Sequence, residues 1–323
     1  MELDQIFNAA KLEAQPLTRA GLASFVQACA GDFQSGLLEF LCADGARYDL
    51  LMAHGQTTNF YRRADHAQPL PPETWLENFP ADGQLFRVRS LALTPQTLRL
   101  AKILLEQRGA GQPLADFSPD PAAAVSRTAE LPQPGLLLFG WENASALALL
   151  PGAGRPPRHS LFIAGGQIVH SAGNMMALYG WREPLRTLTR YDSLSLSPAW
   201  QEYILHHAFV SIVEHLLARF EQLTGRILLH SLVRELNYAA SANGWNLSLT
   251  GFSLADQTIF PGPRQQAEVY RRLLMLIHSR LTAALGDNLV AFLLQEGQAR
   301  LRPPYAEIFD RFLQREQSAP LTN

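Results

Sequence analysis

The sequence Leu-Thr-Arg-Tyr-Asp-Ser-Leu-Ser-Leu-Ser-Pro, residues 188–198, predicts a β-strand that leads directly into a helix. Ser197-Pro198 is a helix-start signal, because a serine side chain accepts a hydrogen bond from a free backbone N–H. Proline at the first helical position removes a donor that has no partner there. From Trp200 to Leu223, apolar residues recur with a period of roughly 3.6 residues. This stretch therefore predicts a strand followed by a long amphipathic helix.

A similar junction occurs earlier in the chain, where residues 85–95 read Leu-Phe-Arg-Val-Arg-Ser-Leu-Ala-Leu-Thr-Pro. The offset between the two junctions is 188 − 85 = 103 residues. Residues 50–56 also match residues 161–167, at an offset of 161 − 50 = 111. Two matches in the same order predict a duplicated unit of a β-meander followed by a helix. The alternative is that hairpins and strand-to-helix junctions resemble one another for physical reasons.

The predicted fold class is α+β, with two related antiparallel β-meander/helix units followed by a mainly helical C-terminal domain with a small hairpin. The predicted boundaries are 1–111 for the first meander-plus-helix unit, 112–134 for a Pro/Ala-rich linker, 135–198 for the second meander unit, 199–316 for the helical domain and 317–323 for a loose tail. The linker is predicted because its segment contains five prolines and few large apolar side chains. The second unit is expected to begin with a strand at Gly135 instead of a helix.

Within the predicted helical domain, the long helix is followed by a second helix at Ile227–Ala242. Alternating apolar residues on both sides of Gly251 predict the small hairpin. A third helix is predicted at Gln265–Leu285 and a shorter one at Leu289–Gln295.

The composition favours a globular protein that binds no nucleic acid and has no membrane span. The formal net charge is −2 and the pI is near 6.5, whereas a nucleic-acid site needs a concentrated positive field. The acidic start, Met-Glu-Leu-Asp-Gln, is not a secretory signal, and no apolar stretch is suited to crossing a bilayer.

The two cysteines, Cys29 and Cys42, are too few for a disulfide framework, so a reducing cytoplasm is expected. Both are predicted as buried apolar residues, with a redox pair or a metal site as the alternative.

A search for catalytic and ligand-binding motifs gives no match. The chain has no phosphate-binding Gly-Lys-Ser/Thr loop, no Gly-x-Gly-x-x-Gly, no Gly-x-Ser-x-Gly and no paired-histidine zinc helix. His207 and His215 lie on the predicted long helix about 12 Å apart, which is too far to share a metal ion directly. No catalytic residue, metal site or cofactor is therefore predicted, although many active sites lack a local signature.

Four residues are candidates for binding a ligand or partner: Arg87, Arg190, Trp200 and Trp245. The two arginines recur at matching positions of the repeated junctions, so each can pair with a carboxylate of its own helix or with an anionic ligand or partner. Trp245 follows a helix-ending glycine, where a tryptophan either fills a domain core or faces a ligand. Trp200 is the first large apolar residue of the long helix.

The first unit combines a helix at Leu22–Cys29, the strand sequence Ser-Gly-Leu-Leu-Glu-Phe at 35–40 and a hairpin ending in Gly55-Gln56. In the second copy the hairpin ending reads Ala-Gly-Gly-Gln-Ile-Val-His-Ser-Ala, residues 164–172. This order resembles a small bacterial domain of unknown function that is found beside response regulators and small-GTPase modules. The resemblance implies a non-catalytic module of bacterial signalling or cell organisation, and it implies no catalytic residues.

These observations predict a non-catalytic cytoplasmic adaptor or regulatory protein that acts through protein–protein contacts, with a protein partner or by self-association into a homo-oligomer. The physical reason is that repeated hairpins leave edge strands that can pair with another chain. One alternative is a small-molecule sensor with a ligand pocket between the meander units and the helical domain. A second alternative is an enzyme without a recognisable motif.

Overall fold

The computed structural model of the protein describes residues 15–32, 35–63, 67–79, 86–107, 111–129, 134–142, 144–150, 159–164, 167–172, 181–192 and 197–314. The chain divides into two compact units, which we name the sheet unit (residues 1–197) and the helical unit (residues 198–323). The predicted α+β class is confirmed: the sheet unit holds two related antiparallel meanders with helices, and the helical unit includes a small hairpin. The predicted tail at 317–323 lies outside the described residues.

The first half of the sheet unit is a six-stranded antiparallel sheet with two helices. Its elements in chain order are β1 (Gln15–Leu17), α1 (Arg19–Asp32), β2 (Gly36–Leu41), β3 (Arg47–Ala53), β4 (Gln56–Arg63), β5 (Ala67–Leu70), a 3₁₀ helix (Pro72–Asn78), β6 (Phe86–Ala92) and α2 (Pro95–Glu106). The strand order is β1-β6-β2-β3-β4-β5. Strands β2 to β5 thus form a meander, and β6 returns to pair with β2.

The second half of the sheet unit is another six-stranded sheet. Its elements are β7 (Gln112–Pro113), α3 (Pro121–Ala129), β8 (Gly135–Gly140), β9 (Ala144–Leu150), β10 (His159–Ala164), β11 (Gln167–Ala172) and β12 (Thr187–Asp192). The strand order is β7-β12-β8-β9-β10-β11. Strands β8 to β11 form the meander and β12 returns to β8, so the second sheet repeats the topology of the first.

The repeated topology identifies which predicted matches join equivalent elements. The junctions at 85–95 and 188–198 do, because each includes residues of the returning strand, β6 or β12, and leads into a helix. The hairpin match does not join equivalent elements. Residues 50–56 lie on β3 and β4, which correspond to β9 and β10 of the second sheet. Residues 161–167 instead lie on β10 and β11. Tight hairpins favour similar turn residues wherever they occur, which explains the displaced match.

Residues 112–134, predicted as a linker, instead contain β7 and α3, so the second unit begins with a strand and a helix like the first. The Asp120 carboxylate accepts hydrogen bonds from the backbone N–H of Ala122 at 3.2 Å and of Ala123 at 3.3 Å. Pro121 occupies the first position of α3. Asp120-Pro121 is therefore a helix start of the same kind as Ser197-Pro198, and its proline does not mark a linker.

One face of the first sheet packs on α1 and the 3₁₀ helix. Phe79 joins these elements, because its ring centroid lies within 4.9 to 6.0 Å of those of Phe40, Tyr48, Phe60 and Trp75. Aromatic pairs at these distances add to the stabilisation gained by burial. Contacts among these aromatic rings therefore hold the 3₁₀ helix segment against the sheet.

Cys29 and Cys42 lie in the same core as free, buried thiols. Burial, together with the nearby Asp44 carboxylate, raises the pKa of Cys42 to about 11. The thiol is therefore protonated at neutral pH and behaves as a small apolar side chain.

The opposite face of the first sheet carries a buried ion cluster. Arg63 Nε donates to Asp49 Oδ2 at 2.9 Å, and Arg63 Nη1 lies 3.1 Å from Glu39 Oε1. Helix α2 covers this face, where the Tyr61 hydroxyl donates to Glu106 at 2.7 Å. Because α2 also contacts β9, β10 and β11, it lies between the two sheets.

The helical unit is built around its longest helix. Its elements are α4 (Pro198–Thr224), α5 (Arg226–Ala242), β13 (Leu247–Thr250), β14 (Ser253–Asp256), α6 (Pro263–Leu285), α7 (Asp287–Ala299), α8 (Tyr305–Phe309) and a π-helical turn (Asp310–Gln314). Helix α4 packs against α5, α6, α7 and α8, and the predicted hairpin is formed by β13 and β14. Gly225 and Gly286 separate consecutive helices at φ 86° and 82°, a conformation that favours glycine. Among the described helices, none combines the length and apolarity that a membrane span requires.

Candidate functional site

A cavity of about 530 Å³ lies among the helices of the helical unit, and we name it the helical-unit cavity. Its lining comes from α4, α6, α7, α8 and the π-helical turn: Leu216, Arg271, Leu274, Met275, His278, Val290, Leu294, Gln298, Phe309 and Leu313. Sites for small molecules occupy roughly 300–1,000 Å³ and are mostly apolar. The cavity therefore has the size and the walls of a ligand site.

Helical spacing brings these side chains together. The four residues from α6 lie at i, i+3, i+4 and i+7, which is one face of a helix. The three from α7 lie at i, i+4 and i+8 and form a second wall. Because each wall is a helix face, the cavity depends on helix packing and not on a local motif.

Three polar side chains line the helical-unit cavity: Arg271, His278 and Gln298. Arg271 Nε donates to the backbone oxygen of Phe312 at 3.1 Å, which positions the guanidinium at the wall. No carboxylate, thiol or hydroxyl is present among the described residues of the lining. The lining thus combines apolar surface with a guanidinium, an imidazole and an amide, which suits the binding of a small molecule.

A buried polar cluster lies elsewhere in the helical unit, where α4, β14 and α6 meet. Asp256 Oδ2 accepts a hydrogen bond from the Tyr270 hydroxyl at 2.5 Å, and His206 Nδ1 lies 3.0 Å from both groups. Gln266 Nε2 donates to the same hydroxyl at 3.0 Å, and Thr258 N donates to Asp256 Oδ1 at 2.8 Å. All five residues are buried or half-buried. We name this the His206–Asp256–Tyr270 cluster.

The cluster joins three elements that are distant in sequence. His206 and Asp256 are 50 residues apart, and Asp256 and Tyr270 are 14 apart. Since the carboxylate accepts from Nδ1, the proton of the imidazole is assigned to Nδ1. The Tyr270 ring stacks on Phe209 with centroids 3.9 Å apart. These contacts hold the hairpin to α4 and α6, which is a structural role.

A second buried histidine, His215, lies between α4 and α7. Its Nε2 is 3.4 Å from Glu296 Oε2, and a Cβ built on Gly297 would come 3.0 Å from its ring. Burial lowers the pKa of His215, the charge of Arg300 lowers it further, and Glu296 opposes both effects. The imidazole is therefore held in its neutral form.

The outward surface of α5 carries large apolar side chains. Ile227 is 86% exposed and Tyr238 is 76% exposed. They are 11 residues apart, which places them about 20° apart around the helix axis and about 16 Å apart along it. His230, Ser231 and Arg234 lie between them and are exposed too. We name these five residues the α5 face.

The four residues proposed from the sequence are dispersed: three lie on different elements, and Trp245 lies between α5 and β13. Arg87 is exposed on β6, and Arg190 is buried on β12. Trp200 is completely buried on α4, with its ring edge-on to Tyr203 at 5.9 Å. Trp245 is half-buried and lines a smaller, polar cavity of about 320 Å³ between the end of α5 and the hairpin. None of the four is among the described residues that line the helical-unit cavity.

The two arginines do not occupy equivalent ladder positions. Arg87 pairs with Leu41, the sixth residue of β2, whereas Arg190 pairs with Leu137, the third residue of β8. Side chains alternate between the two faces of a strand, so an odd difference in position reverses the face. The two arginines therefore lie on faces of their sheets that do not correspond.

Sequence reasoning did not find the residues of the cavity or of the cluster. It predicted the helix that became α6, in which Leu273 and Ile277 form a buried stripe. The sequence offers one signal for the cavity. Leu274 and Met275 add apolar side chains beside this stripe, so the apolar surface of α6 is wider than contact with a single helix requires. His206 and Asp256 gave no signal, because no local spacing connects them.

Among the residues that the structure describes, no group of three or more His, Cys, Asp or Glu side chains is placed to hold a metal ion. A scan against protein-family models found no match to the chain, and neither did searches of curated proteins and of solved structures.

Proposed function

We propose that the protein is a non-catalytic cytoplasmic adaptor or regulatory protein that binds another protein through the α5 face. The observation that supports this is the exposure of Ile227 and Tyr238 at the centre of the outward surface of α5, opposite its buried side chains. Near the start of α5, Leu223 and Leu228 are each 49% exposed and extend the apolar surface. Large apolar side chains exposed on one face of a helix are a feature of interaction sites in soluble proteins.

The charge of the α5 face favours an acidic partner. Arg234 lies between Ile227 and Tyr238, and the only carboxylate of α5, Glu235, forms an ion pair with Arg280. An isologous contact between two copies would bring like charges together, which is unfavourable. We therefore propose a segment of another protein that combines apolar and acidic side chains. The resemblance of the first meander to a bacterial signalling module supports signalling as the setting.

Site-specific photocrosslinking tests this proposal. A photoreactive benzoyl-phenylalanine at Ser231 is expected to form an adduct with one protein in cells of the source organism, and the contacting segment should be acidic. Binding of the purified partner is then measured by calorimetry for the wild type and for the double variant Ile227→Ser/Tyr238→Ser. Loss of two anchors should weaken binding by about tenfold or more.

Phe292→Ser is the matched control, because Phe292 is 58% exposed on α7 and lies outside the α5 face. The control should bind like the wild type. The proposal is refuted if Ser231 gives no protein adduct, or if Phe292→Ser weakens binding as much as the double variant does.

A second candidate function is small-molecule sensing, which the helical-unit cavity favours. The sequence placed such a pocket between the meander units and the helical domain, whereas this cavity lies within the helical unit. Thermal unfolding of the full chain with a panel of small apolar and amphipathic molecules tests this function, and it is refuted if none of them raises the unfolding temperature.

A further inference from the structure

We infer that the smaller cavity beside Trp245 binds a neutral sugar, with one pyranose ring packed on the indole and its hydroxyl groups bonded to the surrounding polar side chains. We name it the Trp245 cavity. It lies between the end of α5 and the hairpin and encloses about 320 Å³. The inference is independent of the protein contact proposed for the α5 face and of the helical-unit cavity.

The Trp245 cavity differs in chemistry from the helical-unit cavity. It combines one indole with four neutral hydrogen-bonding side chains, and its lining is Ser241, Gly244, Trp245, Asn246, Leu247, Ser248 and Gln257. No charged side chain is present among the described residues of this lining, so an ionic ligand would lose hydration without gaining an ion pair. Ligand sites range over roughly 300–1,000 Å³, and a volume at the lower end suits a single small ring. The lining therefore favours a small, neutral and polar ligand.

The indole of Trp245 supplies the apolar wall that a sugar ring requires. Trp245 is half-buried, so part of its ring remains accessible at the cavity. The face of an aromatic ring carries partial negative charge. One face of a pyranose ring presents C–H groups, which are apolar and slightly positive, and packing the two together removes apolar surface from water. A linear polyol has the same hydroxyl groups but no rigid C–H face.

The polar side chains match the hydroxyl groups of a sugar. The amides of Asn246 and Gln257 each carry donors and an acceptor, so one amide can bond two neighbouring hydroxyl groups at once. Ser241, Asn246 and Ser248 are exposed, so a bond to the sugar replaces a bond to water. Such an exchange contributes little net free energy. The polar groups therefore select the sugar, and contact with the indole supplies most of the affinity.

Hydrogen bonds hold both sides of the Trp245 cavity in place. Trp245 N donates to a backbone oxygen in the last turn of α5 at 2.9 Å, and Gln257 N donates to Asn246 O at 2.9 Å. The side chain of Asn237 on α5 fixes the hairpin, because it accepts from Leu249 N at 2.7 Å and donates to Leu249 O at 2.9 Å. The walls thus need little ordering when a ligand binds, which favours the binding of a small molecule.

The test is saturation-transfer NMR of the full chain with the methyl glycosides of glucose, galactose, mannose and N-acetylglucosamine. At least one should give a saturable signal, in which the ring C–H protons receive the most saturation because they lie on the indole. Sorbitol, a linear polyol, should bind about tenfold more weakly than that glycoside because it cannot stack. Methyl glucuronide, which adds a carboxylate, should bind no more tightly than the neutral glucoside.

Two variants locate the site. Trp245→Ala should weaken binding by about tenfold or more, since it removes the apolar wall. Ser248→Trp should abolish binding by filling the cavity from an exposed position of β13, and its unfolding temperature confirms that it folds. The control is Phe252→Ala, because Phe252 is an exposed aromatic residue of the same hairpin and is not among the described residues of the lining. It should bind like the wild type.

The sugar assignment is overturned if none of the four glycosides gives a saturable signal, or if sorbitol or the glucuronide binds more tightly than the best of them. It is overturned equally if Trp245→Ala and Ser248→Trp bind like the wild type, or if Phe252→Ala loses binding to the same extent. None of these results bears on the α5 face, which photocrosslinking tests separately.

Discussion

Replacement of Tyr270 by phenylalanine removes one hydroxyl from the His206–Asp256–Tyr270 cluster and leaves the ring in place. The hydroxyl donates to Asp256 at 2.5 Å, accepts from Gln266 at 3.0 Å and lies 3.0 Å from His206 Nδ1. The residue is completely buried, so water does not replace these bonds. Phenylalanine keeps the stacking on Phe209, which limits the change to polar interactions.

The expected destabilisation is about 2.5–4 kcal/mol. A hydrogen bond to a charged group contributes about 1.5–3 kcal/mol, and the bond to the Asp256 carboxylate belongs to this class. The Gln266 donor loses its acceptor, which costs about 1 kcal/mol more. No cavity term is added, since the ring volume is retained. The two contributions together give the stated range.

Native-state hydrogen exchange is the suitable assay, because a chain with two compact units does not guarantee two-state unfolding. Peptides from the hairpin β13–β14 and from α6 should show a lower free energy of opening in Tyr270→Phe. Tyr238→Phe is the matched control, since it removes the hydroxyl of an exposed tyrosine in the same unit. If both variants exchange like the wild type, the cluster does not hold the hairpin and the reasoning is refuted.

Two further predictions concern charge. Arg63→Met removes the guanidinium from the buried carboxylates Asp49 and Glu39, and should lower the stability of β3 and β4 by about 3–5 kcal/mol in the same assay. Arg62→Met, an exposed neighbour, serves as the control. For His215, burial lowers the pKa below its ordinary 6.5, so the unfolded state binds the proton more readily than the folded state. Stability should therefore fall as the pH drops below about 6.5, with a slope of at most about 1.4 kcal/mol per pH unit from this group.

Both charge predictions have outcomes that contradict them. Equal effects of Arg63→Met and Arg62→Met would mean that the ion cluster does not stabilise the first sheet. For His215, denaturant unfolding is compared between pH 7 and pH 5 in the wild type and in His215→Gln. The variant should lose less stability, and an identical loss in both proteins would exclude the buried imidazole as the cause.

The strand-to-helix junctions were predicted correctly because their signals are local. At the start of α2, Thr94 Oγ1 accepts from the backbone N–H of Thr97 at 3.3 Å, and Pro95 occupies the first helical position. Such capping depends on residues within one turn, so a short stretch of sequence is enough to specify it. Asp120-Pro121 carries the same signal, and its neighbouring prolines led to the prediction of a linker.

Strand pairing is not local, and here sequence reasoning failed. The hairpin at 50–56 was matched to a hairpin one strand too far along the second meander. The turn residues indicate the type of turn, but they do not indicate which strands of a sheet the turn connects. The matched arginines show the consequence. A shift by an odd number of residues moves a side chain to the other face of the sheet, so Arg87 and Arg190 lie on faces that do not correspond.

The sequence by itself determined the α+β class, the repeated meander, the long helix that begins at Pro198 and the absence of a local catalytic motif. Each of these follows from periodicity and capping, which act over a few neighbouring residues. The tertiary structure alone decided that His206 meets Asp256, and that Arg271 lines a cavity with Leu294. These contacts join segments far apart in the chain, and only the packing of the helices and the hairpin brings them together.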